Sequence, residues 1–353
     1  MSVFVHRAAI GPDCPQVGGK GAASAASAGK VLSVNPKLSV RVASQHGVFS
    51  HRDAIECGYT ESQIRVRLRR GTWTRLRRGY YAVTPDLGSL PPWESGLALH
   101  RLGVLATVRA LDASQVAVSH QSAVAMFGLP VWGVDLDTVH VTERRRRTGR
   151  LQNKVRHHVG VLDDGAVVTV DGIQLTHPAR ALCELACTTS YETAVVAMDA
   201  ALRQQMVTPD ALRAAVAAIE RWPGSATARA AAAFADGRSE SVGESRLRVL
   251  MDNAGLPTPS LQSRFLGGDT VVARVDFYFP PQRVVVEFDG MLKYRESAAE
   301  VVLAEKARED ALREIGLIVV RVIWDELDTP KLVAHRIRQA FARATPTGGE
   351  QSA

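Results

Sequence analysis

Nowhere in its 353 residues does the chain hold a run of about 18 apolar side chains, the length a membrane-spanning helix requires. Residues 1–37 also lack the continuous apolar core of a signal peptide. The expectation is a cytoplasmic protein with no membrane partner. Cysteine is scarce: Cys14, Cys57, Cys183 and Cys187 are the whole set, and their spacing is not that of a paired metal site. Cys183 and Cys187 lie one helical turn apart without a second pair to close a zinc site, so buried reduced thiols are expected. His120, His157, His158 and His177 show no ligand spacing either, and capping or core hydrogen bonds are their expected roles. Acidic excess is missing too. The 43 Lys and Arg outnumber the 36 Asp and Glu, giving +7 and an isoelectric point near 9.5, which favours a polyanionic partner, most simply nucleic acid. With 46% apolar residues, the length suits two or three domains.

What is present is most informative at Val271–Tyr294, VVARVDFYFPPQRVVVEFDGMLKY. Two short β-branched runs separated by Pro280-Pro281 read as a β-hairpin. Side chains alternate along a strand, so Glu287 and Asp289 share a face, roughly 6.6 Å apart along it. Asp276 belongs to the neighbouring strand, about 4.8 Å away where register allows. Three converging carboxylates repel one another unless protons or a cation neutralise them, and hard divalent ions with oxygen ligands are the usual solution.

This stretch resembles the PD-(D/E)XK nuclease superfamily, specifically its very-short-patch-repair-like endonuclease domains. Asp276 matches the first acid and Glu287 the second, while Asp289 stands where the superfamily usually has lysine, as in the Glu-x-Asp-Gly variant. The resemblance implies that Glu244, in SESVGESR, is the acid of the first helix. It also implies a charged second helix at Glu305–Arg313, a last strand at Gly316–Val322 and the order α-β-β-β-α-β. The superfamily's chemistry implies that Asp276 and Glu287 hold Mg2+ (or Mn2+), with Asp289 completing the metal shell or orienting a water. Lys293 is the nearest candidate for the missing lysine; Lys306, Arg308 and Arg313 are alternatives, each equally suited to an ion pair on a helix surface.

Residues 38–84 form the second informative block. Leu38–His46 is expected to be helical, with Gly47–Ser50 a turn. Ser50 and Thr60 are placed as N-caps of helices at His51–Cys57 and Glu61–Gly71. Thr72–Val83 alternates like a small hairpin with Gly79 at its turn. Three short helices and a two-stranded wing make a winged helix-turn-helix. The stretch RxRxRRGxWxRLRRGxYxV within it resembles the N-terminal domain of AbiEi-family antitoxins of type IV toxin–antitoxin systems. Seven arginines, Arg65, Arg67, Arg69, Arg70, Arg75, Arg77 and Arg78, would make a strong phosphate footprint, with binding that weakens steeply in salt. Gln63, Arg65 and Arg67 are placed to reach a major groove, and Arg77 and Arg78 to meet backbone or minor groove. A solvated basic helix in a protein–protein module is the plainer alternative.

Between the two blocks, strands are expected at Thr138–Thr142, Lys154–His158, Val167–Val170 and Ile173–Thr176, the last two around an Asp171-Gly172 turn. Helices are expected at Trp93–Leu111, Pro178–Leu185, Tyr191–Gln204 and Pro209–Ile219, and Arg144–Arg147 as an exposed loop. SHQSA at Ser119–Ala123 and THPARALCELA at Thr176–Ala186 resemble the C-terminal region of the same antitoxins. The fold class is therefore multidomain, α+β and α/β. It comprises a disordered segment at 1–37, a winged helix-turn-helix at 38–86, a mixed α/β middle domain at 87–229, a restriction-endonuclease-like domain at 230–343 and a tail at 344–353. Two functions stay open: a DNA-binding, metal-dependent endonuclease hydrolysing phosphodiesters, or a type IV antitoxin-like transcriptional regulator whose terminal domain is inactive. DNA is the partner in both, and a cognate toxin and a homodimer are named besides.

Overall fold

The structure is a computed structural model that describes residues 34–90, 92–111, 115–144, 148–267, 270–290 and 308–344. Lys293, Lys306, the arginines at 145–147 and the expected disordered segment up to residue 33 lie outside them. The chain divides into two compact units, residues 1–128 with 134–184, and residues 129–133 with 185–353. That division falls at 184/185 and not at the 86/87 and 229/230 boundaries drawn from sequence. No helix among the described residues is long and apolar enough to cross a membrane.

The first unit begins with α1 (Pro36–Ser44), β1 (Val48–Ser50), α2 (His51–Glu56), α3 (Glu61–Arg69), β2 (Trp73–Arg77) and β3 (Tyr80–Val83). Asn35 starts α1 by accepting from Leu38 N–H at 2.9 Å. Both expected caps are present as capping boxes: Ser50 with Asp53, and Thr60 with Gln63. These satisfy N–H groups that a helix start leaves without partners. The expected turn at Gly47–Ser50 is corrected by β1, which pairs antiparallel with β3 to give a three-stranded sheet in the order β1-β3-β2. Its core joins Leu38, Val42, Phe49, Ile64, Trp73 and Tyr81, with Trp73 edge-on to Phe49 at 4.7 Å and to Tyr59 at 5.0 Å.

After α4 (Pro92–Ala110), the unit builds a mixed six-stranded sheet. Its strands are β4 (Val116–Val118), β5 (Val139–Glu143), β6 (Arg150–Gln152), β7 (Val155–Val159), β8 (Val167–Val170) and β9 (Ile173–Thr176). Their order is β6-β7-β5-β4-β9-β8. Helix α5 (His120–Met126) follows β4 directly, and α6 (Pro178–Thr188) carries the point of division.

In the second unit, α7 (Tyr191–Arg203), α8 (Pro209–Ala218) and α9 (Ser225–Phe234) precede α10 (Val242–Asn253). Helix α9 falls where sequence placed a boundary. The helices are joined by a buried ion pair: Arg248 of α10 donates twice to Asp199 of α7, both at 2.7 Å, and once to the Phe234 carbonyl at 2.7 Å. The sheet runs β10 (Ser260–Gly267), β11 (Thr270–Phe279), β12 (Val284–Asp289), β13 (Ile318–Ile323), with β12 and β13 parallel and the other neighbours antiparallel. Residues 308–314 are helical (α11), and α12 (Pro330–Arg343) closes the unit. Val284 and Val286 pack into one apolar cluster and Val285 into another. Burial on both faces is why the valine run is unbroken.

Candidate functional site

Two surfaces carry the residues singled out by sequence. On the first unit, α3 buries Ile64 and exposes Glu61, Ser62, Gln63, Arg65, Arg69 and Arg70. Arg75 and Arg78 are exposed on the wing. Two arginines expected to meet DNA are instead packed within the domain. The Arg67 guanidinium lies 5.0 Å from the Tyr59 ring centre and 5.5 Å from that of Trp73, a cation–π arrangement that covers the aromatic core. Arg77 is half-buried, and burial lowers its pKa. The Oε1 of Gln63 accepts from Thr60 N–H at 2.9 Å, leaving only its amide N–H groups to face a groove. Five exposed arginines and the first turn of α3 therefore make the basic face.

On the second unit, the hairpin register pairs Phe277 with Val286, and one step further sets Asp276 opposite Glu287. The ladder ends there. The Asp276 carboxylate takes the next N–H, from Phe288, at 2.9 Å. Glu244 is positioned by the first turn of α10, where Ser241 caps the helix by accepting from Glu244 N–H at 3.1 Å. Gly243 lets α10 approach β12, because a Cβ there would stand 2.0 Å from the Phe288 ring. Gln262 holds a φ of 52° within β10, a strained setting for a non-glycine residue. Its Nε2 lies between two acids, buried Glu244 and half-buried Asp276, 3.1 Å from Glu244 Oε2 and 3.4 Å from Asp276 Oδ1. Burial, and next the nearby Asp276, push Glu244 up to about 7. Asp276 is also raised, chiefly by burial and against the Phe288 hydrogen bond.

Glu287 and Asp289 share a face, as alternation requires. Both meet cations: Arg308 reaches Glu287 Oε1 at 3.1 Å, and Arg321 stands 4.0 Å from Glu287 Oε2 and 4.0 Å from Asp289 Oδ2. The four acids thus gather as two pairs, one bridged by Gln262 and raised in pKa, the other countered by arginines. Their mutual repulsion is relieved by protons and guanidinium groups. Among the described residues, the group of three ligands whose donor atoms lie within 4.8 Å of one another consists of imidazoles, His120, His140 and His158. Sequence spacing carries no sign of this group, to which His120 and His158 belong but His157 and His177 do not. Gln262, Arg321 and His140 were not singled out by sequence. Each is brought in by strand pairing between distant segments, and a one-dimensional pattern carries no signal for that.

Residues 39–84, from within α1 to the end of the wing, match the family described as "Transcriptional regulator, AbiEi antitoxin". Two Mycobacterium tuberculosis proteins, both described as uncharacterized, are each 30% identical over 295 residues, covering 82% of this chain and 100% of theirs: MT2308 of strain CDC 1551 / Oshkosh and Rv2248 of strain ATCC 25618 / H37Rv. The chain belongs to the family of these two proteins. Its N-terminal part is antitoxin-like. The crystal structure of RV2827C from M. tuberculosis aligns over 56% of this chain and 80% of that one, at 13% identity and a TM-score of 0.34, a likeness too low to fix the fold.

Proposed function

We propose that the chain is a DNA-binding transcriptional regulator of the AbiEi antitoxin type. The observation that carries this reading is the position of the family match. It falls on a three-helix unit with a wing whose exposed side carries Arg65, Arg69, Arg70, Arg75 and Arg78. Helix α3 enters the major groove by its first turn, Ser62 to Arg65, and the wing arginines grip phosphate. A cognate toxin and a second copy of the chain are the further partners this reading names. The direct test is a gel-shift with the DNA upstream of the chain's own coding sequence beside an unrelated duplex of equal length. Preference for the upstream DNA supports the reading, and equal affinity or none refutes it.

A second reading, metal-dependent phosphodiester hydrolysis by the C-terminal unit, is favoured by one observation. Buried Glu244 and half-buried Asp276, both with raised pKa, sit at the Asp276–Glu287 step on a core ordered helix, three strands, helix, strand, as the PD-(D/E)XK resemblance implies. The oxygen donors are of the kind a hard cation takes, but Asp276, Glu287 and Asp289 do not stand as a group with donor atoms within 4.8 Å of one another, so holding one would require these side chains to move. Bound Mg2+ or Mn2+ would polarise a phosphate and acidify a water. Arg308 would place positive charge beside Glu287, where the superfamily uses lysine. Plasmid cleavage by the wild type and none by Asp276→Ala/Glu287→Ala would support this reading. Intact plasmid with both proteins would remove it and leave the regulator.

A further inference from the structure

We propose that His120, His140 and His158 form a binding site for one divalent transition-metal ion of the zinc class. The three side chains come from separate segments of the first unit: the start of α5, β5 and β7. Strands β5 and β7 are parallel, pairing His140 with Arg156 and Thr142 with His158, so alternation sets His140 and His158 on one face, two residues apart. His158 Nε2 lies 3.0 Å from His140 Nδ1, and the donor atoms of all three rings lie within 4.8 Å of one another. Zinc bound at about 2.05 Å would need nitrogens roughly 3.3 Å apart. The rings of His120 and His158 are stacked at 3.6 Å. An ion lies in the plane of each ring that binds it, so ligation requires this stack to open.

The surroundings orient the rings as ligands are oriented. Ser119 Oγ lies 3.0 Å from His120 Nδ1, leaving Nε2 for an ion. His120 holds a φ of 52°, a backbone setting that needs enforcement in a non-glycine residue and that clusters at functional sites. Gln121 Nε2 donates to His140 Nε2 at 2.8 Å, which leaves the Nδ1 proton of His140 between the two imidazoles. The Gln121 Oε1 is buried with no hydrogen-bond partner among the described residues. Turning that amide over would let Oε1 accept from His140 Nε2–H and free the Nδ1 lone pair, the hydrogen bond to a ligand's far nitrogen that metal sites use. Glu184, fully buried and ion-paired with Arg180 at 2.8 Å, stands 3.8 Å from His120 Nδ1. Burial, reinforced by the neighbouring His158, holds His140 down to about 3, burial holds His158 down to about 4, and burial holds His120 well below its ordinary value. Imidazole donors select zinc, cobalt or nickel over magnesium, and three protein ligands leave a fourth position for water or an exogenous donor.

The test is a Co2+ titration of the metal-stripped, tag-free full chain, read by the visible absorption of four-coordinate cobalt. One saturable equivalent is expected, displaced by Zn2+ and lost in His140→Ala and in the milder His158→Gln, with circular dichroism reporting whether each variant is folded. The carboxylate variant Asp276→Asn/Glu287→Gln should keep the signal, since it lies in the other unit. Zinc at 100 times its dissociation constant should shift the wild type's unfolding equilibrium about 100-fold. No saturable binding by the wild type overturns the site, irrespective of how the variants fold. So does undiminished binding in a folded histidine variant, or loss in the carboxylate variant alone.

Discussion

Replacing Glu244 with Gln tests the electrostatics of the acidic pair. Burial beside Asp276 raises this carboxyl from 4.5 to about 7. Between those values the folded chain keeps a proton that the unfolded chain gives up, so the contribution of Glu244 to stability falls as pH rises from 4.5 through 7 and is lowest above 7. At about 1.4 kcal/mol per tenfold, the gap between 4.5 and 7 amounts to about 3 kcal/mol. Glu244→Gln keeps an oxygen to accept from Glu240 N–H, which the carboxylate now does at 2.8 Å, but it cannot ionise. Urea unfolding of both proteins from pH 5 to pH 8 should give nearly equal stability at pH 5 and a variant more stable by about 3 kcal/mol at pH 8. Comparing the two proteins cancels the other titrating groups. Parallel stability curves, or a variant weaker than wild type at pH 8, would refute the assignment of a buried, proton-holding carboxyl.

Other substitutions read the packing that positions these groups. Asp199→Ala leaves the Arg248 guanidinium, 7% exposed, without its buried partner, and should cost about 3–5 kcal/mol by thermal unfolding. Gly243→Ala should destabilise by roughly 1–3 kcal/mol, because its Cβ would stand 2.0 Å from the Phe288 ring, which is fixed edge-on to Trp324 at 5.2 Å. Arg67→Ala should lower the stability of the winged domain by about 0.5–2 kcal/mol through loss of its aromatic contacts. The same change should leave the salt dependence of DNA binding unaltered, a pairing of effects that a phosphate contact would reverse.

Local chemistry made much of this fold legible. Ser50 and Thr60 announced helix starts, Asp171-Gly172 a hairpin, and the unbroken valines a strand. Features resting on weak local signals were missed. β1 is only three residues long beside Gly47. The alanine-rich stretch at Ser225–Phe234 spans the boundary drawn at 229/230 and is a helix, as alanine favours. It is set in place by Gly224, whose φ of 82° and approach to the Cys187 carbonyl exclude a side chain. At the candidate sites, sequence found the acids and the arginine run but not their surroundings. Charge alone did not tell that Arg67 and Arg77 turn inward, nor that Arg321 and Gln262 divide the acids into two pairs. These arrangements depend on which strands become neighbours, and β12 meets β13 only after the intervening chain.

The regulator reading is tested most directly by the salt dependence of binding to the upstream DNA, measured by fluorescence anisotropy. Five exposed arginines, Arg65, Arg69, Arg70, Arg75 and Arg78, should give a slope of log affinity against log salt near −4 to −5, at about −0.9 per phosphate contact. Arg69→Ala and Arg78→Ala should each reduce that slope by about 1. A slope near zero, or one that these substitutions leave unchanged, would contradict the assignment of the winged face to DNA.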